Sequence, residues 1–285
     1  MKIGAWSFND IVALGFDKAR VAFTTGWLFA ILVLSVASNL LVGTLLTANA
    51  APIWITIVDV VSIVITILLA LFSALAITAS FKATAKSKAK TQSFIALAKP
   101  LFIKQLIVIV LMVLIAIAGV LVALAIGQIA RIPVAGPVLI ALLALPLVAG
   151  IAYILVFAAI ATKLSAAAIV ETNKATATEI IAKLLGLVRT QFAALTFNTI
   201  LLLLPVLTIA VAGILILGLS YAGYILCGWA LTGSYMTLAL SMQGGANAIY
   251  ILQTLAGLGV FAYLLSYILN VTLAGFYSIY LDAAK

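Results

Sequence analysis

The sequence predicts an all-α fold, a polytopic transmembrane helical bundle with six spans arranged as three helical hairpins, each preceded by a cytoplasmic amphipathic helix. The first observation is composition: 67% of the residues are hydrophobic and 7% are charged, with a mean hydropathy of +1.41. Water-soluble domains are about 45–50% apolar and about 25% charged. The other two observations are long apolar runs and a one-sided distribution of basic residues. The chain therefore belongs in a membrane.

Six apolar segments are long enough to cross about 30 Å of hydrocarbon, which takes about 20 helical residues. They are residues 27–46, 53–81, 103–126, 138–162, 192–219 and 249–280. Pro146 and Pro205 lie inside the fourth and fifth segments, where we expect kinks. The connections 47–52 and 127–137 are short, so the first two pairs of spans are predicted to be hairpins.

The Lys and Arg residues predict the orientation. Of the 15, only Arg131 falls on the outer side of the predicted spans. Basic loops stay on the cytoplasmic side during insertion, so both termini are expected to be cytoplasmic in a multi-pass protein of the plasma (inner) membrane. Anionic lipid head groups are the expected partners of these cations, at about 1 kcal/mol per residue. A nucleic-acid partner is not expected.

One basic tract within this pattern has no acidic residue: Lys82, Lys86, Lys88 and Lys90. These lysines are candidates for contact with anionic lipid or an acidic partner. An ordinary solvated loop is the alternative.

The segment 220–248 is the one ambiguous part of the layout. It is uncharged and long enough to span, but it carries several glycines and amphipathic aromatic residues. Such aromatics favour the membrane interface. We predict an interfacial or re-entrant helix on the outer face, while a seventh span, which would place Lys285 outside, remains open.

Each predicted hairpin follows an amphipathic stretch that we expect to lie in the interface with its apolar side down. In the first, one face is Phe8, Val12, Phe16, Ala19 and Phe23, and the opposite face is Asp10, Ala13, Asp17, Arg20 and Thr24. The second covers residues 91–99 and is expected to end before Pro100. The third starts at Thr176 with Glu179 as a capping box and continues through Ile180, Ile181, Leu184 and Val188.

The regular spacing of these stretches predicts three parallel repeats within a single integral membrane domain, residues 1–285. Asp10-Ile-Val-Ala and Glu179-Ile-Ile-Ala align, with Arg20 matching Arg189 and Phe23 matching Phe192. Ser93-Phe-Ile-Ala occupies the same place in the middle copy. The repeats are 7–82, 91–163 and 176–281, and duplication of this kind is common in membrane proteins.

The third repeat carries a resemblance to known families. The run Ala166-Ala-Ala-Ile-Val-Glu171, then Thr178-Glu-Ile-Ile-Ala-Lys-Leu-Leu-Gly-Leu-Val-Arg189, then Phe192 entering a span resembles the membrane domain fused to some glycerophosphoryl diester phosphodiesterases and its relatives. The resemblance implies a six-helix fold. It implies no catalytic residue, because the soluble phosphodiesterase domain that carries that family's chemistry is lacking here.

Polar residues inside the spans are the functional candidates, because buried ionisable groups are costly in lipid. Asp59 is the only carboxylate within a predicted span, and hydroxyl residues follow it at helical spacing. The candidate polar path consists of Asp59, Ser62, Thr66, Asn39, Asn198, Gln253, Tyr263, Tyr267 and Asn270. The alternative is that they form packing seams and interhelical hydrogen bonds.

Composition also narrows the function. The chain has no His and a single Cys, Cys227, so we expect no metal site, no cofactor and no enzymatic activity. We expect a non-catalytic integral membrane protein, an accessory or scaffold subunit that packs against other membrane subunits. A transporter or channel for a small or amphipathic solute is the alternative.

Overall fold

The computed structural model describes residues 2–48, 51–86, 94–128, 135–232 and 248–285. These residues are nearly all helical, apart from two short strands, β1 (Lys2–Ile3) and β2 (Trp6–Ser7). The helices are α1 (Phe8–Gly15), α2 (Lys18–Thr47), α3 (Pro52–Lys86), α4 (Phe94–Gly127), α5 (Ala135–Glu171), α6 (Ala177–Thr232) and α7 (Ala248–Ala283).

Six of these helices, α2 to α7, contain a segment long and apolar enough to cross a membrane. The predicted all-α polytopic fold is therefore confirmed, and each predicted span falls within one of the six. The candidate spans are Lys18–Thr47, Pro52–Ala83, Phe94–Ile126, Ala141–Glu171, Ala177–Leu219 and Leu255–Ala283.

The first amphipathic stretch is not one helix, as predicted, but two. Ser7 Oγ accepts a hydrogen bond from the Asp10 N–H (3.3 Å) and donates to the Asp10 carboxylate (2.6 Å), which also accepts from the Ser7 N–H (3.1 Å). This capping box starts α1, and its hydrogen bonds lower the pKa of Asp10. α1 ends at Gly15, and the Asp17 carboxylate caps α2 by accepting from the Arg20 N–H at 3.1 Å.

Part of the polar side of this stretch turns toward the protein. Arg20 and Thr24 are buried, whereas Asp10, Ala13 and Asp17 on the same side are exposed, and so is Phe16 on the apolar side, at 46%. Lipid tails solvate an aromatic ring as well as a protein core does, so the polar groups gain more from burial against other helices.

Three prolines lie inside helices and do not end them. The predicted stop before Pro100 is wrong, because Pro100 lies inside α4, just as Pro146 lies inside α5 and Pro205 inside α6. A proline removes one helical hydrogen bond, but breaking the helix would leave several backbone groups unpaired in or near lipid. The first three residues of the predicted stretch 91–99 lie outside the described residues.

The third amphipathic stretch continues directly into the fifth span. Both bonds of its capping box are present, with Thr176 N–H donating to Glu179 Oε2 at 2.9 Å and Glu179 N–H donating to Thr176 Oγ1 at 3.3 Å. The backbone departs from helical angles at Gln191 (φ −122°, ψ 23°), where the two parts meet. Its apolar face, predicted to lie on lipid, is buried against the protein at Ile180, Ile181, Leu184 and Val188.

The predicted helix boundary at residue 220 is also wrong. α6 continues past Leu219 to Thr232, and no charged residue lies in that part of the helix. The remainder of the segment, residues 233–247, lies outside the described residues.

The chain divides into two compact units. The first consists of Trp6–Ile77 and Leu202–Gly275. In it α1 packs on α7 through Gly15, where an added Cβ would lie 2.3 Å from Val271 Cγ2, and α7 packs on α6 through Gly275, where a Cβ would lie 2.2 Å from Leu202 Cδ1. At Gly15 the added Cβ would also lie 3.0 Å from the Val271 backbone nitrogen, so that approach requires glycine, whereas at Gly275 the three nearest atoms belong to the Leu202 side chain.

The second unit consists of Lys2–Ala5, Thr78–Leu201 and Phe276–Lys285. In it α4 packs against α5, with Gly119 close to Ile154. The chain's first residues dock on the end of α7: Ala5 N–H donates to Ser278 O at 3.1 Å, and Ser278 Oγ donates to Ile3 O at 2.7 Å. Ile3 is completely buried by this contact.

Candidate functional site

The C-terminal end of α5 is the centre of a polar network in the second unit. The ammonium of Lys82, near the end of α3, donates to Val170 O (2.6 Å) and Glu171 O (3.3 Å) and lies 3.4 Å from Glu171 Oε2. The last carbonyls of a helix lack internal donors and carry partial negative charge, so a cation is stabilised there. Lys82 thereby joins α3 to α5.

The carboxylate of Glu171 has a second partner on α7. The Tyr277 hydroxyl donates a hydrogen bond to Glu171 Oε1, and the Tyr277 ring packs on Phe81 with centroids 5.8 Å apart. Glu171 would be unfavourable at a helix C-terminus if alone. The Lys82 ammonium and the Tyr277 hydroxyl together compensate its charge.

A second lysine secures the turn that follows α5. Lys104 on α4 donates to Asn173 O and Ala175 O, both at 2.7 Å. The neighbouring Gln105 is buried and donates to Ser165 Oγ at 3.2 Å. The end of α5 and its turn are therefore held by side chains from α3, α4 and α7.

A groove opens beside this turn, between the end of α3 and the beginning of α4. It has a volume of ≈ 420 Å³ and is open to the surroundings. Its walls are mostly apolar, with two polar side chains. The lining residues are Ala79, Lys82, Ala83, Ala96, Leu97, Pro100, Leu101, Val170 and Asn173.

The first unit holds a buried polar contact between α2 and α7. Thr24 Oγ1 lies 2.7 Å from Asn270 Oδ1 and 2.8 Å from Arg20 O, and both side chains are completely buried. A hydroxyl has one proton, so it donates to one of these acceptors at a time. Asn270 Nδ2 has no hydrogen-bond partner among the described residues. This is the one place where a residue of the predicted polar path is enclosed by the protein.

The remaining path residues are not gathered around a common cavity within the first unit. Asp59 and Asn39 are exposed, and Ser62 and Thr66 are half-buried. Tyr267 donates to Tyr263 on the same helix at 2.5 Å, and Tyr263 is 47% exposed. The side chain of Gln253 lies outside the described residues, and so does Arg131, the basic residue predicted on the outer side. Asn198, half-buried, belongs to the second unit.

Ser62 does have a partner, Ser38 on α2, to which it donates at 2.6 Å. The two serines line an open groove of ≈ 330 Å³ whose other walls are apolar: Leu34, Ala37, Leu41, Ile57, Val58, Val61 and Ile65. This geometry is typical of a packing seam between helices and offers a dissolved ion little coordination.

The basic tract is described in part. Lys82 contacts the end of α5 through Val170 O, Glu171 O and Glu171 Oε2, and its predicted contact with anionic lipid stays a prediction. Lys86 is the last residue of α3, and its side chain, like Lys88 and Lys90, lies outside the described residues. Among the described residues no group of three His, Cys, Asp or Glu could hold a metal ion.

Sequence reasoning missed the Glu171 network and the role of Thr24. A signal for the first existed: Glu171 ends an apolar span of the sequence, a position where a carboxylate needs a cation. Thr24 carried no such signal, because a hydroxyl next to an apolar span can equally bond its own helix backbone.

The comparisons with known proteins add no relative. No protein-family model, no curated protein and no solved structure matches this chain.

Proposed function

We propose that this integral membrane protein is a non-catalytic accessory or scaffold subunit of a larger membrane assembly. The observation that carries the proposal is a set of span glycines that pack on nothing within the described residues. A Cβ added to any of them would meet no atom within 4 Å: Gly26, Gly43, Gly150, Gly213, Gly218 and Gly257.

Glycine costs a helix about 1 kcal/mol relative to alanine. In lipid that cost is offset where small residues let another helix approach closely, which is how helices associate without a hydrophobic driving force. Outward-facing glycines on α2, α5, α6 and α7 therefore favour contacts with other chains.

The low burial of the spans supports the same proposal. In the most apolar stretch of α2, no residue is buried within the chain. In the corresponding stretch of α5, only 6% of the residues are buried. The network at Glu171 joins α3, α5 and α7 to one another, which is in line with a structural role.

We also propose that both termini are cytoplasmic. The contact of Ile3 with Ser278 supports a common side for the two ends, and the basic loops favour the cytoplasmic side of the plasma (inner) membrane. Reporter fusions at each terminus, alkaline phosphatase against a fluorescent protein, test this orientation.

The direct test is quantitative mass spectrometry of the tagged chain, extracted from its native membrane in polymer-bounded lipid discs. A stoichiometric set of other subunits is expected. Gly213→Leu adds bulk on a face with no internal neighbour and improves helix propensity, so it should reduce co-purification without unfolding the chain. The matched control is Ala212→Leu, which adds bulk at an exposed neighbouring position. Recovery of a lone chain would overturn the proposal.

A further inference from the structure

We propose that the groove between the end of α3 and the beginning of α4 binds one acidic phospholipid, with an acyl chain along its apolar walls and the phosphate beside the lysines at its end. The inference concerns a specific lipid site and does not rest on the accessory role proposed above.

The walls suit an acyl chain. Seven of the lining side chains are Ala, Leu, Pro or Val, and the exposed rim includes Ala96 and Pro100. The volume of ≈ 420 Å³ lies within the range of about 300–1,000 Å³ of small-molecule sites, which are mostly apolar with a few polar groups. Here the polar groups are Lys82 and Asn173, which lie near the C-terminal ends of α3 and α5, beside the beginning of α4.

The charges at that end favour an anion. The ammonium groups of Lys82 and Lys104 both contact carbonyls of residues 170–175, and Glu171 is the only carboxylate that pairs with either of them among the described residues. The C-terminus of α5 adds the equivalent of about half a negative charge. The two lysine charges exceed this and the Glu171 charge together, so the net charge at this end of the groove is positive. Lys174, next to the groove residue Asn173, is exposed and has no partner among the described residues.

Asn173 offers a hydrogen-bond donor for the phosphate of the lipid. Its backbone carbonyl is occupied by Lys104, but its side chain lines the groove and is exposed. An amide N–H₂ there can donate to a phosphate oxygen. A zwitterionic lipid carries its own cation and would gain less from the surplus charge. Basic pockets between transmembrane helices are known to hold acidic head groups in this way.

The test measures binding of defined lipids to the purified full chain by native mass spectrometry in detergent. The probes are phosphatidylglycerol, phosphatidylcholine with the same acyl chains, and inorganic phosphate. One phosphatidylglycerol per chain should bind at least fivefold more tightly than phosphatidylcholine, and inorganic phosphate should not displace it. The factor follows from about 1 kcal/mol per cation near the membrane surface.

Two variants test separately the contribution of the apolar walls and that of the positive charge to lipid binding. Ala83→Trp fills the groove and should abolish selective binding, whereas the control Ala144→Trp, at an exposed position of α5 that does not line the groove, should not. Lys104→Gln keeps an amide donor for the turn but removes a cation, and should weaken phosphatidylglycerol about fivefold, unlike Lys18→Gln.

Equal binding of the two lipids, or unchanged selectivity in Ala83→Trp, would overturn the proposal. So would displacement by inorganic phosphate, which would indicate a phosphate site without an acyl chain. If Ala83→Trp does not fold, judged by gel filtration, the result with Lys104→Gln decides.

Discussion

Lys82 of α3 caps the end of α5 at Glu171, 89 positions along the chain, with its ammonium 3.4 Å from the carboxylate and 2.6 Å from the Val170 carbonyl. Both side chains are about three-quarters buried, at 22% and 24% exposed. One side chain therefore stabilises a helix terminus and an ionised neighbour at once.

Removing this cation should destabilise the second unit. Lys82→Met keeps the apolar stem but leaves the α5 carbonyls and Glu171 without their cation, and should cost about 1–2 kcal/mol. Thermal unfolding in detergent measures the loss. Lys99→Met, which removes an exposed lysine, is the control and should change stability by less than about 0.5 kcal/mol. Equal effects of the two substitutions would show that the cap contributes nothing.

The contact between Thr24 and Asn270 should appear as a coupling energy. In a double-mutant cycle with Thr24→Val and Asn270→Leu, we expect about 0.6 kcal/mol, the average for hydrogen bonds between transmembrane helices, and at most about 1.7 kcal/mol. Unfolding in mixed micelles provides the four free energies. A coupling indistinguishable from zero would mean that Thr24 donates to the Arg20 carbonyl throughout.

Gly4 should be intolerant of a side chain. Its φ is +64°, and an added Cβ would lie 2.5 Å from the Ser278 backbone oxygen. Gly4→Ala should therefore release residues 2–5 from α7, because the positive φ alone costs about 1–2 kcal/mol. Hydrogen exchange at the Ala5 amide, which donates to Ser278, should accelerate.

Gly26→Ala is the matched control for that experiment. Its Cβ meets no described atom, and alanine favours the helix by about 1 kcal/mol, so stability should not fall. Protection of the Ala5 amide that is unchanged in Gly4→Ala would contradict the docking.

The start of α1 should respond to acid. Hydrogen bonds from Ser7 lower the pKa of Asp10 below its ordinary value of 3.8. A lowered folded-state pKa means that the stabilisation is complete above 3.8 and is lost as the pH falls through the lower folded value. Nuclear magnetic resonance titration should give an Asp10 midpoint below 3.8. Ser7→Ala should return it toward 3.8, and an unshifted midpoint in the parent protein would disprove the capping box.

Asp59 should be replaceable. Its side chain is exposed, so Asp59→Asn should shift the free energy of unfolding by less than about 0.5 kcal/mol. Flux of a candidate cation in reconstituted vesicles should likewise be the same in the variant and the parent. A large loss of stability would instead indicate a partner such as Arg131, and loss of flux would favour the transport hypothesis.

The six long apolar helices could be predicted from the sequence because a membrane imposes length and apolarity on every helix that crosses it. The break at Gly15–Asp17 also had a local signal, a glycine followed by an N-cap residue. The break was not predicted because the helical periodicity of Phe8 to Phe23 continues across it. At Pro100 the opposite error occurred: a helix end was predicted where the helix continues. The rule that proline ends helices comes from water-soluble proteins and overstates its effect in a membrane helix.

The contacts between helices could not be predicted from the sequence. Lipid and protein interiors are similarly apolar, so hydrophobic pattern does not say which face of a span meets another helix. Arg20 and Arg189 align in the predicted repeats, yet Arg20 is buried and Arg189 is exposed. The pairing of Tyr277 with Glu171 joins positions 106 apart, and neither has a local signal for the other.

The docking of Ile3 on Ser278 imposes an order on biogenesis. Ser278 follows Ile3 by 275 positions, so Ile3 leaves the ribosome long before the surface that receives it. Ile3 therefore stays unpaired with Ser278 while the helices between them are inserted. The contact can form only once α7 has been made, and a nascent chain stalled before α7 would leave β1 exposed to quality-control proteases.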